Sequence, residues 1–339
     1  MIKLVIDCMG GDNSPSVNIE GTLKALEELK DLHVILCGKE DQIAPLLEKH
    51  KYDKERVKIL DAQDEITCHD SPVEAIATKK ESSLVKSLML LKKDDSVNGL
   101  VSIGSTGAII SGGIMKIGRI KGIKRPAFCP ILPTMNGGIV GICDSGANVD
   151  CSPLFLHQFA LMGSLYMERA YGISKPRVAL LNIGLEEEKG DILRKETYPL
   201  LKEDTSINFV GNMESRDFLS GKYDLVVCDG FAGNVLIKST EGACLEMLKL
   251  LKKTFYSSLK NKLGALILKK DIYKIKDQMD YNNYGGAVLL GVKKTIVKGH
   301  GNCKMKSIYH CVKLAYTIEK NNLLAAIEEA INKNELVEE

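Results

Sequence analysis

The stretch GLVSIGSTGAIISGGIM, residues 99–115, decides how the rest of the 339-residue chain is read. Gly99 to Ile103 reads as a short apolar strand, Gly104 and Gly107 bracket the hydroxyls of Ser105 and Thr106, and a small-residue helix starts at once. The glycines permit positive φ and close approach of a ligand to the backbone, and either hydroxyl can cap the helix. Backbone N–H groups and hydroxyls then converge beside the positive end of a helix, as an anion pocket requires. A tight strand-to-helix turn with a capping hydroxyl accounts for the same residues, so the other loops must separate the two readings.

Those loops repeat the pattern. Lys3–Ile6 reads as a buried strand followed by Asp7, Gly10, Gly11 and Asp12, where a Gly-rich turn with Asp12 or Asn13 as cap is the plain alternative. Ile139–Cys143 runs into Asp144–Asp150 with Asn148, and Val178–Ile183 into a loop holding Lys189 beside three acids of a solvated helix start. Leu225–Cys228 runs into Asp229 and Asn234, and Thr295–Val297 into Gly299-His300-Gly301. Open α/β sheets bind ligands beyond the carboxyl ends of their strands, so these loops jointly describe a crevice. One pair breaks the βα alternation: Phe128–Thr134 and Ile139–Cys143 are joined by Met135-Asn136-Gly137-Gly138, a hairpin signal. A mixed, mainly parallel sheet or a second lobe is therefore expected rather than a simple Rossmann domain.

Composition excludes several classes. Lys plus Arg number 46 against 44 acids, and a net charge of +2 gives no sign of nucleic-acid binding. No apolar run approaches a membrane span, and Met1 opens directly onto strand-like residues without a signal peptide, so a cytosolic protein is expected. None of the 10 cysteines forms a C-x2-C pair; Cys8, Cys37, Cys143 and Cys228 read as reduced core residues, and no metal site is expected. The segment Arg119–Arg125 carries four cations without an acid, either a solvated basic face or an adjunct to the anion loop.

From Val235 to Leu259 the chain reads as one long helix with Cys244, Leu248, Leu251, Phe255 and Leu259 on one face. A second amphipathic helix aligns Leu268, Ile272, Ile275 and Met279, and Leu263–Leu268 would form the tip between them, flanked by Lys260, Lys262, Lys269 and Lys270. An apolar tip with basic flanks suits an anionic membrane surface, a dimer contact, or both. No domain boundary is visible, so residues 1–334 are expected to form a single catalytic domain that includes this hairpin at about 235–280. Dinucleotide, P-loop, zincin and α/β-hydrolase motifs are absent.

The combined motifs are more specific than any one loop. Asp7-Cys8-Met9-Gly10-Gly11-Asp12, Ser102-Ile103-Gly104-Ser105-Thr106-Gly107-Ala108, Arg125-Pro126-Ala127, Gly146–Asp150, Leu181–Gly184, Asp229-Gly230-Phe231 with Gly233-Asn234, and Tyr284-Gly285-Gly286 stand in order along nearly the whole chain. Together they strongly resemble the phosphate acyltransferases (the PlsX family), acyl-carrier-protein:phosphate transacylases. The chain departs from the family pattern at Asn13, Ser105 and Val288, where His, Asn and Pro are usual.

The resemblance implies a fold akin to isocitrate dehydrogenase and phosphotransacetylase, with a protruding helical hairpin. It implies transfer of a long-chain acyl group from acyl carrier protein to inorganic phosphate, giving acyl phosphate for phospholipid synthesis without a cofactor. It further implies a homodimer in contact with the membrane, where a downstream membrane acyltransferase would use the product. On this reading Ser102, Gly104, Ser105, Thr106 and Gly107 bind phosphate, joined by Asp7, Gly10, Gly11, Asp12 and Asp229, with Asn148 and Asn234 as amide partners. Lys189 stabilises charge and His300 passes a proton to the departing thiolate. A coenzyme A- or nucleotide-using enzyme of the wider fold and a non-catalytic membrane scaffold are the competing classes.

Overall fold

Short β-branched runs alternate with amphipathic helices along most of the chain, and the computed structural model, which describes residues 1–278 and 281–333, folds them accordingly. Among the described residues the strands are β1 (Ile2–Asp7), β2 (Leu32–Gly38), β3 (Val57–Asp61), β4 (Gly99–Ser102), β5 (Ala127–Pro133), β6 (Ile139–Cys143), β7 (Val178–Asn182), β8 (Phe209–Glu214), β9 (Leu225–Val227), β10 (Ala287–Leu290) and β11 (Thr295–Lys298). The helices are α1 (Ser16–Glu28), α2 (Glu40–Leu47), α3 (Pro72–Thr78), α4 (Ser83–Lys93), α5 (Thr106–Gly112), α6 (Pro153–Tyr171), α7 (Ile192–Glu203), α8 (Gly230–Tyr256), α9 (Leu259–Gln278), α10 (Met305–Lys320) and α11 (Leu323–Lys333). Helix α5 runs on into a π-helical turn, Gly113–Ile117.

The strands join in one 11-stranded mixed sheet of order β3-β2-β1-β4-β11-β10-β5-β6-β9-β7-β8. Strand periodicity sorts the apolar side chains between its faces. Leu4 and Ile6 of β1 pack with α1, α6 and α10, whereas Val5 packs with α3, α4 and α5. The expected hairpin joins β5 and β6 in antiparallel register, Ile131 opposite Gly141, with Gly137 at φ 83° where the turn requires a left-handed residue.

Direction within the sheet places the site. β1, β2, β3, β4 and β11 are mutually parallel, β10 runs against both β11 and β5, β5 runs against β6, and β6, β9, β7 and β8 are again parallel. The two halves therefore run in opposite directions, and their carboxyl ends do not share one edge as a simple open sheet would place them. An offset along β5 compensates. Lys298 at the end of β11 pairs with Ala287, which pairs with Pro130, while Ser145 just beyond β6 donates its N–H to Phe128 O at 3.1 Å. The opposed strand ends thus meet two residues apart on β5, on the face shared by Phe128 and Pro130.

Three expectations are corrected. The long helix begins at Gly230, capped by Asp229, and ends at Tyr256, so Leu259 opens the next helix instead of closing this one. The stretch Leu263–Leu268 lies inside α9, and the turn falls at Ser257-Ser258; Met279 lies outside the described residues. The β5–β6 pair is not alone in breaking the βα alternation, because β10 and β11 form a second antiparallel pair of consecutive strands, Val288 opposite Val297. No helix of the described residues is long and apolar enough to cross a membrane.

Candidate active site

A cavity of about 380 Å³ opens where the opposed strand ends meet. Phe128, Pro130, Ile131 and Leu132 of β5, with Ile110 and Ile237, form an apolar wall. Facing it are Thr106 and Gly107 at the start of α5, Ser145 and Gly146 after β6, Asn234, Lys238 and Glu241 on α8, and Lys298 and His300 at the end of β11. One wall can hold hydrocarbon and the other an anion, an arrangement typical of a small-molecule site with few convergent polar groups.

Electrostatics of the polar wall are uneven. His300 Nε2 stands 3.8 Å from Glu241 Oε1, and Lys238 Nζ 3.6 Å from Glu241 Oε2. Burial, then the charges of Lys298 and Lys238, push the His300 pKa down to about 4. The imidazole is therefore neutral near pH 7, able to accept a proton but carrying none to spare. Burial first and then Lys238 also lower the Lys298 pKa.

Of the residues read from the sequence, Thr106, Gly107, Asn234 and His300 line the cavity. Ser105 holds the N-cap position of α5, yet its hydroxyl does not cap the helix. The Asp7 carboxylate is buried and accepts from the hydroxyls of Ser83 at 2.6 Å and Ser102 at 2.7 Å and from Met9 N–H at 3.3 Å. Burial raises its pKa, and these hydrogen bonds pull it back. Ser102 in turn accepts from Gly104 N–H at 3.1 Å. A Cβ on Gly10 would stand 2.7 Å from Gly104 Cα, so the loop after β1 backs directly onto the loop after β4. Gly11 lies against Ile103, and the exposed Asp12 donates its N–H to Gly301 O at 2.8 Å. Asp7, Gly10, Gly11 and Ser102 thus shape the Gly104–Gly107 loop from behind.

Asn148 spends its side-chain amide on Pro126 O at 2.8 Å and Asp144 Oδ2 at 3.0 Å. Asp229 caps α8 through Ala232 N–H at 2.8 Å and pairs with Arg194. Lys189 is exposed in the loop after β7, its carbonyl accepting from Asn182 Nδ2 at 3.0 Å, and does not line the cavity. Sequence reasoning missed Lys238, Glu241 and Lys298. The first two lie four and seven residues beyond Asn234 on α8, so helical spacing from that asparagine pointed to them.

Behind the Ser145–Gly146 loop, buried Asp144 accepts from the N–H groups of Phe128, Ser145, Ala147 and Asn148 at 2.6–3.0 Å. Even with these donors, burial raises its pKa to about 6. Asp7 and Asp144 hold the two halves' loops in the same way. Asp7→Ala would strand two buried hydroxyls, and a destabilisation of about 2–4 kcal/mol is expected from the urea midpoint. A loss under about 1 kcal/mol would show that these bonds do not hold the loop.

Comparison with known proteins agrees with the fold and narrows the chemistry. A family model described as "Fatty acid synthesis protein" matches residues 2–326. A phosphate acyltransferase of Clostridium perfringens (strain SM101 / Type A) is 44% identical over 332 residues, covering 98% of this chain and 97% of its own. A phosphate acyltransferase of Bacillus cereus (strain B4264) is 42% identical over 335 residues, covering 99% and 100%. Among solved structures, a phosphotransacetylase from Streptococcus pyogenes superposes with a TM-score of 0.58 at 17% identity, covering 94% of each chain, a likeness of fold.

Proposed function

The chain belongs to the fatty acid synthesis protein family and is an acyltransferase, and from that membership we propose that it transfers a long-chain acyl group from acyl carrier protein to inorganic phosphate. The observation that carries this reading is the cavity itself, with a neutral imidazole and two lysines on one wall and an apolar surface on the other. Phosphate near neutral pH is already anionic and nucleophilic, so no side-chain nucleophile is needed. The protein's work is to hold phosphate in line with the thioester carbonyl and to stabilise the oxyanion that forms.

In the proposed step a hydrogen phosphate oxygen forms the new bond to the carbonyl carbon and the carbon–sulfur bond breaks. The proton lost by phosphate reaches the departing sulfur through His300, which takes it as a base and returns it as an acid. Thr106, Gly107 and Asn234 border the phosphate, and the apolar wall receives the first carbons of the acyl chain. Lys189, exposed in the loop after β7 and outside the cavity lining, is assigned no step in this proposal. Incubation of the protein with long-chain acyl-[acyl carrier protein] and phosphate, without nucleotide or coenzyme A, should yield acyl phosphate trapped by hydroxylamine. Product formed only with coenzyme A or a nucleotide would favour another enzyme of the wider fold, and no product at all a scaffold.

The α8–α9 hairpin supports the remaining part of the reading. Leu245, Leu250, Leu263, Leu266 and Ile267 are exposed beside Lys260, Lys262, Lys269 and Lys270. We propose that a second copy of the chain covers part of this apolar surface. The rest rests on the cytoplasmic, anionic face of a membrane, where a membrane acyltransferase takes up the acyl phosphate. Replacing both Leu266 and Ile267 by Asp should abolish sedimentation with phosphatidylglycerol vesicles while acyl phosphate formation in solution persists. Unchanged sedimentation would remove the membrane role of the hairpin.

A further inference from the structure

One cation of the cavity lacks a carboxylate. Lys238 stands near Glu241, but among the described residues the Lys298 ammonium makes no side-chain hydrogen bond and no ion pair, its ladder bonds being those of the backbone. It closes β11 opposite Ser102 of β4, with Gly299 N–H bonded to Ser102 O at 3.0 Å, and so sits directly beside the Gly104–Gly107 loop. Its side chain is half-buried and borders the cavity. A partly desolvated ammonium with no counter-charge is unfavourable unless an anion completes it.

We propose that Lys298, with Lys238 as a second, more exposed cation, is the residue that holds inorganic phosphate against the Thr106–Gly107 end of the cavity. This rests on the reading of the cavity as a phosphate acyltransferase site. The lowered pKa of Lys298 agrees with an anion site that is incomplete without its anion, and a bound phosphate would restore the charged form. The same negative charge would offset the two lysines acting on His300, raising its proton affinity when a proton has to be carried.

Two measurements on the intact protein test the assignment. Brief acetylation followed by mass spectrometry should find Lys298 modified at least about five times more slowly in inorganic phosphate than in chloride of equal ionic strength, with exposed Lys274 unaffected. Lys298→Met should raise the KM for phosphate by at least about 20-fold and leave the KM for the acyl donor within about twofold, and Lys298→Arg should recover most of that loss because it keeps the charge. Equal labelling in phosphate and chloride, or an unchanged phosphate KM in a folded Lys298→Met protein, would overturn the assignment. Should Lys298→Met fail to fold, the labelling of the unaltered protein decides. If the unaltered protein makes no acyl phosphate, the reading of its function falls, while phosphate protection still reports separately on Lys298.

Discussion

His300→Ala is expected to lower kcat/KM for acyl phosphate formation by about 10²–10⁴-fold, the span of a positioned general acid–base group. The imidazole borders the cavity within reach of Glu241, and depression of its pKa to about 4 keeps it a free base in the resting protein. Its effect on stability has a definite sign. Between about 4 and its ordinary value of 6.5 the folded chain binds fewer protons at His300 than the unfolded chain. This contribution is therefore fully present above 6.5 and is lost as pH falls toward 4. Urea midpoints measured across that window should fall less steeply with acid in His300→Ala than in the parent. Any rate limb that belongs to phosphate itself will be common to both proteins. A variant that keeps more than about a tenth of parental kcat/KM would remove His300 from the proton path.

Gly233→Ala is expected to be the most damaging single-methyl substitution near the site. A Cβ at Gly233 would overlap the Asp144 carbonyl oxygen and stand 3.0 Å from Cys228 Sγ, in the first turn of α8 where it crosses the end of β6. Neither neighbour is a flexible side-chain tip, so backbone must move. That backbone carries the Asp144 carboxylate, on which the N–H groups of Phe128, Ser145, Ala147 and Asn148 converge. A loss of at least about 3 kcal/mol by urea unfolding is expected, together with loss of activity, since Gly146 and Asn234 would separate. Gly242→Ala, farther along the same helix with open space around it, provides the contrast. There a gain of up to about 1 kcal/mol is expected from helix propensity. If both changes have the same small effect, the close approach of α8 to the Asp144 backbone does not govern the fold of this loop.

Much of the fold was legible because its signals are local. Short continuous apolar runs identified β1, β4 and β7, and Asn136-Gly137 placed the β5–β6 hairpin, whereas the β10–β11 hairpin carries no such turn signal. Helix limits were read less well at α8 and α9. Apolar residues at helical spacing run through Leu259 without a break, whereas the turn at Ser257-Ser258 has no glycine or proline to announce it. The same continuity concealed that Leu263–Leu268 belongs to a helix rather than to the tip.

The candidate site divides in the same way. The chain by itself determined that small, polar residues follow the strands, that the ordered motifs are those of the phosphate acyltransferases, and that Thr106, Gly107, Asn234 and His300 deserve a place in the pocket. Only the tertiary structure decided that Asp7, Ser102, Asn148 and Asp229 turn their polar groups inward to hold loops, and that Lys238, Glu241 and Lys298 join His300. The physical reason is range. A cap, a turn or an apolar period is written in neighbouring residues, but the meeting of two opposed half-sheets depends on their registers along β5, set by pairings between residues as distant as Pro130 and Ala287.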